Sequence, residues 1–411
     1  MNKDLYNNKY EEPMRVAVVT SFPPSKVTLN EYGYHLVKNF VQKEEISELI
    51  LITDKTKEPK QLDFENSNKV LIRECWEFNS YANIFTICKT ILKEKPDAVL
   101  FNLQFVKFGD KKIPAALGLL IPMILRFLGS NTVVLLHNIL EQVDLKSAGF
   151  TDSKLAQKIY NFIGTSLTRC ILKADVVAVT ISKYVTVLNE KYKANNVVLI
   201  PHGTFEIPKN PHFDLPEGPK KVMAFGKFGT YKKVEILIDA VELIRKKSDM
   251  AIEIVIAGTD SPNTPGYLQG VKQKYAHVPG ITFTGYVEEN EVSTIFNEST
   301  MVVFPYTSTT GSSGVLHQAG SYGKAVVMPD LGDLSILVKE EGYKGEFFDP
   351  ESKESLANAI STILNDDNYR RKLAMNNYSA ACELSMDKIV QMYIGNFKQV
   401  NYDKVLKYAN D

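Results

Sequence analysis

The chain has 411 residues, 44% hydrophobic and 23% charged, the composition of a water-soluble globular protein too long for one ordinary core. Lys+Arg 48 against Asp+Glu 48 leaves no net charge, which excludes a general nucleic-acid binder with its basic excess. The four cysteines, Cys75, Cys88, Cys170 and Cys382, are scattered without metal-ligand spacing and read as buried thiols of a reducing compartment.

Met1–Glu12 is polar and lacks the apolar core of a signal peptide, so a cytoplasmic protein is expected. Arg15–Ser21 is a strand, followed by a loop through Pro23-Pro24 and a helix over Glu31–Gln42. Ile46–Thr53, Lys69–Arg73, Ala98–Asn102, Thr132–Leu136, Asp175–Thr180 and Asn196–Ile200 are further strand candidates. Ile113–Gly129 is hydrophobic almost all round, with Lys111 and Lys112 before it. It is shorter than the ~20 residues of a membrane span, and Pro114, Pro122 and Arg126 interrupt it. It reads as a buried helix or as a patch resting on a membrane surface.

Pro201–Pro219 crowds five prolines into a segment with no periodicity and marks a boundary. Beyond it, Val222–Lys227, Ile254–Gly258, Ile281–Val287 and Val302–Tyr306 are short apolar runs, each closing on Gly or Pro as a strand does before a loop. Val234–Lys246, Glu289–Glu298 and Val315–Tyr322 are helical stretches between and after them. Ser352–Asn365, Asn368–Cys382 and Met386–Tyr408 close the chain as helices. The alternation predicts an α/β protein of two doubly wound domains whose loop edges face each other across a cleft. The expected divisions are 13–203, a linker over 204–220, 221–385, and a final helix over 386–411 packing back on the first domain.

The order Gly226-Lys227…Lys232-Lys233-Val234, Ala257-Gly258, Phe283-Thr-Gly-Tyr-Val287 and Pro305-Tyr306…Ser313-Gly-Val315…Gly323-Lys324 resembles the GT-B glycosyltransferases, specifically the large family 4 group. Phe22-Pro23-Pro24, His137 and Ile200-Pro-His-Gly203 extend the resemblance over nearly the whole chain. It implies a nucleotide-sugar donor, linked to UDP or GDP, held by the second domain. The acceptor, a glycan or lipid-linked molecule, would be held by the first, with Asn30 and Glu31 as its contacts. It implies catalytic positions at His137, Lys227 and Lys232. It implies donor contacts at Gly226, Gly258, Gly285, Tyr286, Val287, Thr310, Gly311, Ser312, Ser313, Gly314, Val315 and Gln318. His202 and His317 are weaker candidates.

The chemistry of the residues agrees. A diphosphate must be held, and its charge must be stabilised as it leaves. Lys227 and Lys232 suit that charge from one loop. Gly311-Ser-Ser-Gly314 opens a helix, and free N–H groups there, with Ser312 or Ser313 as cap, form an anion site. The chain has no Asp-x-Asp, so lysines and a helix dipole are expected to replace a metal.

Two departures stand out. The family's Glu-x7-Glu falls on Thr310 and Gln318, so both carboxylates are missing. Lys26–Tyr32 stands where the family has a Gly-Gly turn. The expectation is a metal-independent, retaining hexosyltransferase. A catalytically weak relative that binds nucleotide sugar or glycan beside a partner enzyme is the alternative, and a phosphorylase of the same fold the third reading. There is no G-x-G-x-x-G and no G-x4-G-K-[ST], which removes the dinucleotide and triphosphatase classes.

Overall fold

The computed structural model describes residues 12–139, 154–209, 211, 213–215, 217–308 and 312–410. They fall into two compact units, one of residues up to His202 joined by those from Met386 onward, the other Gly203–Ser385.

The first unit is a seven-stranded parallel sheet in the order β3-β2-β1-β4-β5-β6-β7. Its strands are β1 (Met14–Val19), β2 (Ile46–Asp54), β3 (Val70–Trp76), β4 (Ala98–Leu103), β5 (Thr132–Leu136), β6 (Val176–Val179) and β7 (Val197–Leu199). The central strands are continuous apolar runs, as burial on both faces requires. Helix α1 (Asn30–Phe40) follows β1, and α2 (Asn83–Glu94) lies between β3 and β4. The apolar stretch after β4 is two short helices, α3 (Lys112–Leu119) and α4 (Ile121–Phe127), broken next to Pro122. One side of the pair is buried through Ala115, Leu119, Ile121 and Leu125, while Ile113, Phe127 and Leu128 are exposed. Helices α5 (Lys154–Ile171) and α6 (Ser182–Tyr192) complete the layers.

The second unit is a six-stranded parallel sheet in the order β10-β9-β8-β11-β12-β13. Its strands are β8 (Lys220–Phe228), β9 (Ile252–Asp260), β10 (Ile281–Gly285), β11 (Met301–Val303), β12 (Ala325–Pro329) and β13 (Glu346–Phe348). Helices α7 (Glu235–Arg245), α8 (Tyr267–Lys274), α9 (Glu289–Glu298), α10 (Gly314–Ser321), α11 (Gly332–Glu340), α12 (Lys353–Asn365) and α13 (Asp367–Glu383) connect and follow them. In α7, Leu237, Ile238, Val241 and Ile244 form one stripe, buried with Val222, Ala224, Ile254 and Ile256 of the sheet.

Segment 204–220, expected as a linker, is anchored on the second unit. The Arg370 guanidinium donates to the Phe213 carbonyl at 2.7 Å, and the Tyr378 hydroxyl donates to the Pro208 carbonyl at 2.6 Å. The final helix, α14 (Met386–Asn410), lies on the first unit, with Phe397 stacked on Phe40 at 5.9 Å and Lys43 paired with Asp387 at 2.6 Å.

Candidate functional site

In a doubly wound sheet, ligands bind at the strands' carboxyl ends, where the strand order reverses. In the second unit that point is between β8 and β11. The sequence motifs converge there. Gly226 and Gly258 are register partners at the ends of β8 and β9. Gly258 has φ 134°, and a Cβ on it would lie 1.9 Å from the Gly226 carbonyl oxygen, so only glycine fits. The turn 229–233 is clamped to the end of β11: Lys233 N–H donates to the Pro305 carbonyl at 2.8 Å, and Thr307 N–H to the Tyr231 carbonyl at 2.8 Å.

This clamp places Lys232. Its ammonium sits 4.8 Å from the Tyr306 ring centroid and abuts Gly226, where an added Cβ would be 2.8 Å from Nζ. Burial depresses its pKa below the ordinary lysine value, and Tyr231 opposes that. A desolvated ammonium held against an aromatic face is a strong partner for an incoming anion. Lys227 does not share the loop. It lies within β8 as the partner of Thr259, with its side chain exposed. The two lysines are therefore brought to one sheet edge by different elements.

Helix α10 begins beyond β11. Ser313 occupies its N-cap position, but its side chain makes no capping hydrogen bond, contrary to expectation. Ser312 does not cap either: its Oγ lies 3.2 Å from His317 Nε2. Among the described residues neither serine caps the helix start, which leaves its first N–H groups open to an anion. Gly314 is exposed, Val315 and Gln318 are partly buried, and His317 is buried. Thr310 and Gly311 lie outside the described residues. Gly285 ends β10 at φ 72°, and Tyr286 beside it is 70% exposed. Both are two strands from β8. Val287 follows, partly buried. Lys324, from the same motif, serves the fold: its buried ammonium donates to the carbonyls of Asn297 and Ser299 at 3.1 and 3.0 Å, closing the end of α9.

The first unit reverses its strand order between β1 and β4. His137 follows β5 beside that point, and its Nε2 is 2.7 Å from Asn102 Oδ1. The Asn102 amide donates to Thr20 Oγ1 at 3.0 Å, so Oδ1 is the acceptor and His137 Nε2 carries the proton. Burial, then His202 and Lys107, hold His137 well below the usual imidazole pKa, so it is neutral at pH 7. Tyr32 packs edge-on against His137 and His202, with centroids at 4.6 and 4.8 Å. His202 thus joins His137, whereas His317 lies in the other unit.

The sequence reading missed the polar network beneath this edge. Lys107 is fully buried and donates to Ser21 Oγ at 2.5 Å and to the Thr28 carbonyl at 3.0 Å. Lys60 donates to the Phe22 carbonyl at 2.9 Å and stands 3.6 Å from Asp54, which also accepts from Ser25. Two buried lysines therefore pin the loop after β1. Asn30 staples the same loop by donating to the Ser25 carbonyl at 2.7 Å, while Glu31 is exposed. The one available signal was a lysine inside the apolar run Phe105–Phe108.

Among the described residues no three His, Cys, Asp or Glu side chains group as a metal site needs, and no helix is long and apolar enough to cross a membrane. A cavity of about 390 Å³ lined by Asp97, Asn131 and Lys404 lies at the strands' opposite, amino edge.

Residues 219–366 match the model of the family described as glycosyl transferases group 1. Over those residues the second unit is similar to the group 1 glycosyltransferases. The matched span includes Gly226, Lys227, Lys232, Gly258, Gly285 and the stretch Ser312–Gln318. An uncharacterized glycosyltransferase of Haemophilus influenzae is 20% identical over 245 residues, 57% of this chain and 66% of its own length. D-inositol 3-phosphate glycosyltransferase of Corynebacterium glutamicum is 30% identical over 158 residues, 37% of each chain. The matched segments thus span less than two thirds of these relatives. Sucrose-phosphate synthase of Thermosynechococcus elongatus has TM-score 0.71 at 18% identity, covering 94% of this chain and 98% of its own. Anabaena HepE, solved with UDP and glucose, has TM-score 0.65 at 16% identity, covering 94% and 100%. At such identities the likeness is of fold, and the fold is GT-B.

Proposed function

We propose that this chain is a metal-independent, retaining hexosyltransferase that moves a hexose from a nucleoside diphosphate sugar to a glycan or lipid-linked acceptor. The observation that carries this reading is the convergence at the β8/β11 switch point of the Gly226–Gly258 contact, the desolvated Lys232 ammonium and the start of α10, which Ser313 does not cap with its side chain. Close backbone approach, a fixed cation and free N–H groups are what a diphosphate needs, both bound and leaving. The UDP complexes of the structurally similar HepE support the donor class. Gly285, Tyr286 and Val287 would flank the base, Gln318 the ribose, and Thr310 and Gly311 the sugar.

In the first unit, His137 would lie beside the transferred sugar. As a neutral imidazole whose Nε2–H is engaged by Asn102, it orients rather than donates a proton. The acceptor would meet the loop pinned by Lys107, with Asn30 and Glu31 at its edge. A lipid-linked acceptor accords with the exposed Ile113, Phe127 and Leu128 of α3 and α4, flanked by Lys111, Lys112 and Arg126.

The second reading, a binder without turnover, is favoured by the missing carboxylates at 310 and 318. Release of nucleoside diphosphate from a panel of nucleotide sugars, in excess EDTA, tests the proposal. Turnover that persists in EDTA and falls at least tenfold in His137→Ala, with nucleotide affinity little changed, is expected. Binding without turnover, gained only when Glu is placed at both 310 and 318, would establish the second reading.

A further inference from the structure

Behind Ser312 and the start of α10 is a buried polar cluster, His317, Glu341 and Tyr343, to which no donor contact has been assigned. His317, 2% exposed, points back from the helix into the unit. Its Nδ1 is 3.0 Å from the Tyr343 hydroxyl, and its Nε2 is 3.2 Å from Ser312 Oγ. Glu341, whose side chain is 6% exposed, brings Oε2 to 3.5 Å from the same Nε2. Neither Glu341 oxygen has a hydrogen-bond partner among the described residues. A buried carboxylate left so is costly, and the neutral acid is favoured. Burial, reinforced by Glu340, pushes its pKa up to about 8, so it carries a proton at pH 7. The serine and the carboxyl share one ring nitrogen, which is not the arrangement of a nucleophile relay, where the acid holds the other nitrogen.

We propose that His317 and Glu341 are positioning residues that turn the Ser312 hydroxyl toward the donor's diphosphate. This rests on the donor site proposed above. In the empty site His317 carries its proton on Nδ1 and donates to Tyr343, while Nε2 accepts from the Ser312 hydroxyl. When the diphosphate arrives, the proton on Glu341 Oε2 moves to His317 Nε2, leaving a carboxylate and an imidazolium; none is taken up or released. His317 Nε2–H now donates to Ser312 Oγ. The Ser312 O–H, no longer engaged with the ring, donates to a phosphate oxygen beside the N–H groups of α10. The imidazolium also adds a positive charge one helical turn behind the anion. Among the described residues, ionisable groups facing the pair include Glu340 on α11, Tyr343 and, next to Tyr343, Cys382 on α13.

The probe is whichever of UDP-glucose, UDP-N-acetylglucosamine and GDP-mannose binds the full chain most tightly, titrated by calorimetry between pH 6.5 and 8.5. A nucleotide sugar's diphosphate does not titrate in this window. Wild type should lose roughly threefold to tenfold in affinity across it, as Glu341 gives up its proton. Glu341→Gln should bind threefold to tenfold more weakly than wild type at pH 6.5 and show no slope. Ser312→Ala, at a partly buried position before the helix where loss of a hydroxyl leaves the packing intact, should lose both the affinity and the slope in the same way. Unchanged affinity and slope in Ser312→Ala overturns the relay while leaving the donor site standing. Failure of wild type to bind any of the three overturns both.

Discussion

Lys107 and Glu341 make opposite demands on pH, each in its own unit. Burial pushes the Lys107 ammonium down to about 7, with Lys60 adding to the effect and Asp54 opposing it. At this site the unfolded chain binds more protons than the folded one between about 7 and 10.4, so the contribution of Lys107 to the stability of the first unit grows as pH rises through that window. Glu341 is the reverse. Its folded pKa of about 8 exceeds the unfolded value, so its contribution to the stability of the second unit is fully present below about 4.5 and is lost as pH rises to about 8. At ~1.4 kcal/mol for each tenfold change in acidity, each slope amounts to on the order of 3–5 kcal/mol. Denaturant titrations across pH should show Lys107→Met flattening the alkaline rise and Glu341→Gln flattening the acid-to-neutral decline. Unchanged slopes would mean that neither group is buried as described. Trp76, the one tryptophan, lies 5.6 Å from the Lys107 ammonium and reports the first unit.

Among the elements, α14 is remote from the chemistry yet completes the first unit. Ile389, Val390, Tyr393, Ile394 and Phe397 are buried. Phe397→Ala should cost about 3–5 kcal/mol by leaving a cavity against Phe40. Trp76 fluorescence should therefore report an earlier unfolding transition in that variant, and an unshifted one would mean that α14 is not part of this core. The sequence made such elements legible wherever their pattern was strong. Continuous apolar runs located β1, β4 and β5, and runs closing on glycine located β8 and β9, because strands buried on both faces need no alternation. Strands β12 and β13 passed unread. The first is five residues directly behind Gly323-Lys324, and the second is three residues among charges and glycines. The apolar stretch 113–129 read as one helix because composition does not reveal a break between two half-buried turns.

At the scale of the whole molecule, what the sequence conveyed was the sheet edge around Gly226, Lys232 and Gly258, because glycines and lysines at strand ends keep their spacing in the chain. What it withheld was every partnership made across the fold. Nothing near Asn102 points to His137, and nothing in Lys339-Glu340-Glu341 marks the third residue as buried beside a histidine 24 positions earlier. The absence of a carboxylate at Gln318 was visible at once, whereas the buried carboxyl behind Ser312 required the packing of α10 against Tyr343.

The central claim, that the β8/β11 switch point binds a sugar nucleotide's diphosphate, is tested most directly by calorimetry of the best-binding nucleotide sugar on wild type, Lys227→Ala and Lys232→Ala in EDTA. Each lysine would supply a charge-assisted contact of about 1.5–3 kcal/mol. Lys232→Ala should therefore weaken binding at least tenfold, and Lys227→Ala, from its more exposed position, by less. Wild-type affinity in both variants, with the fold intact, would contradict the account.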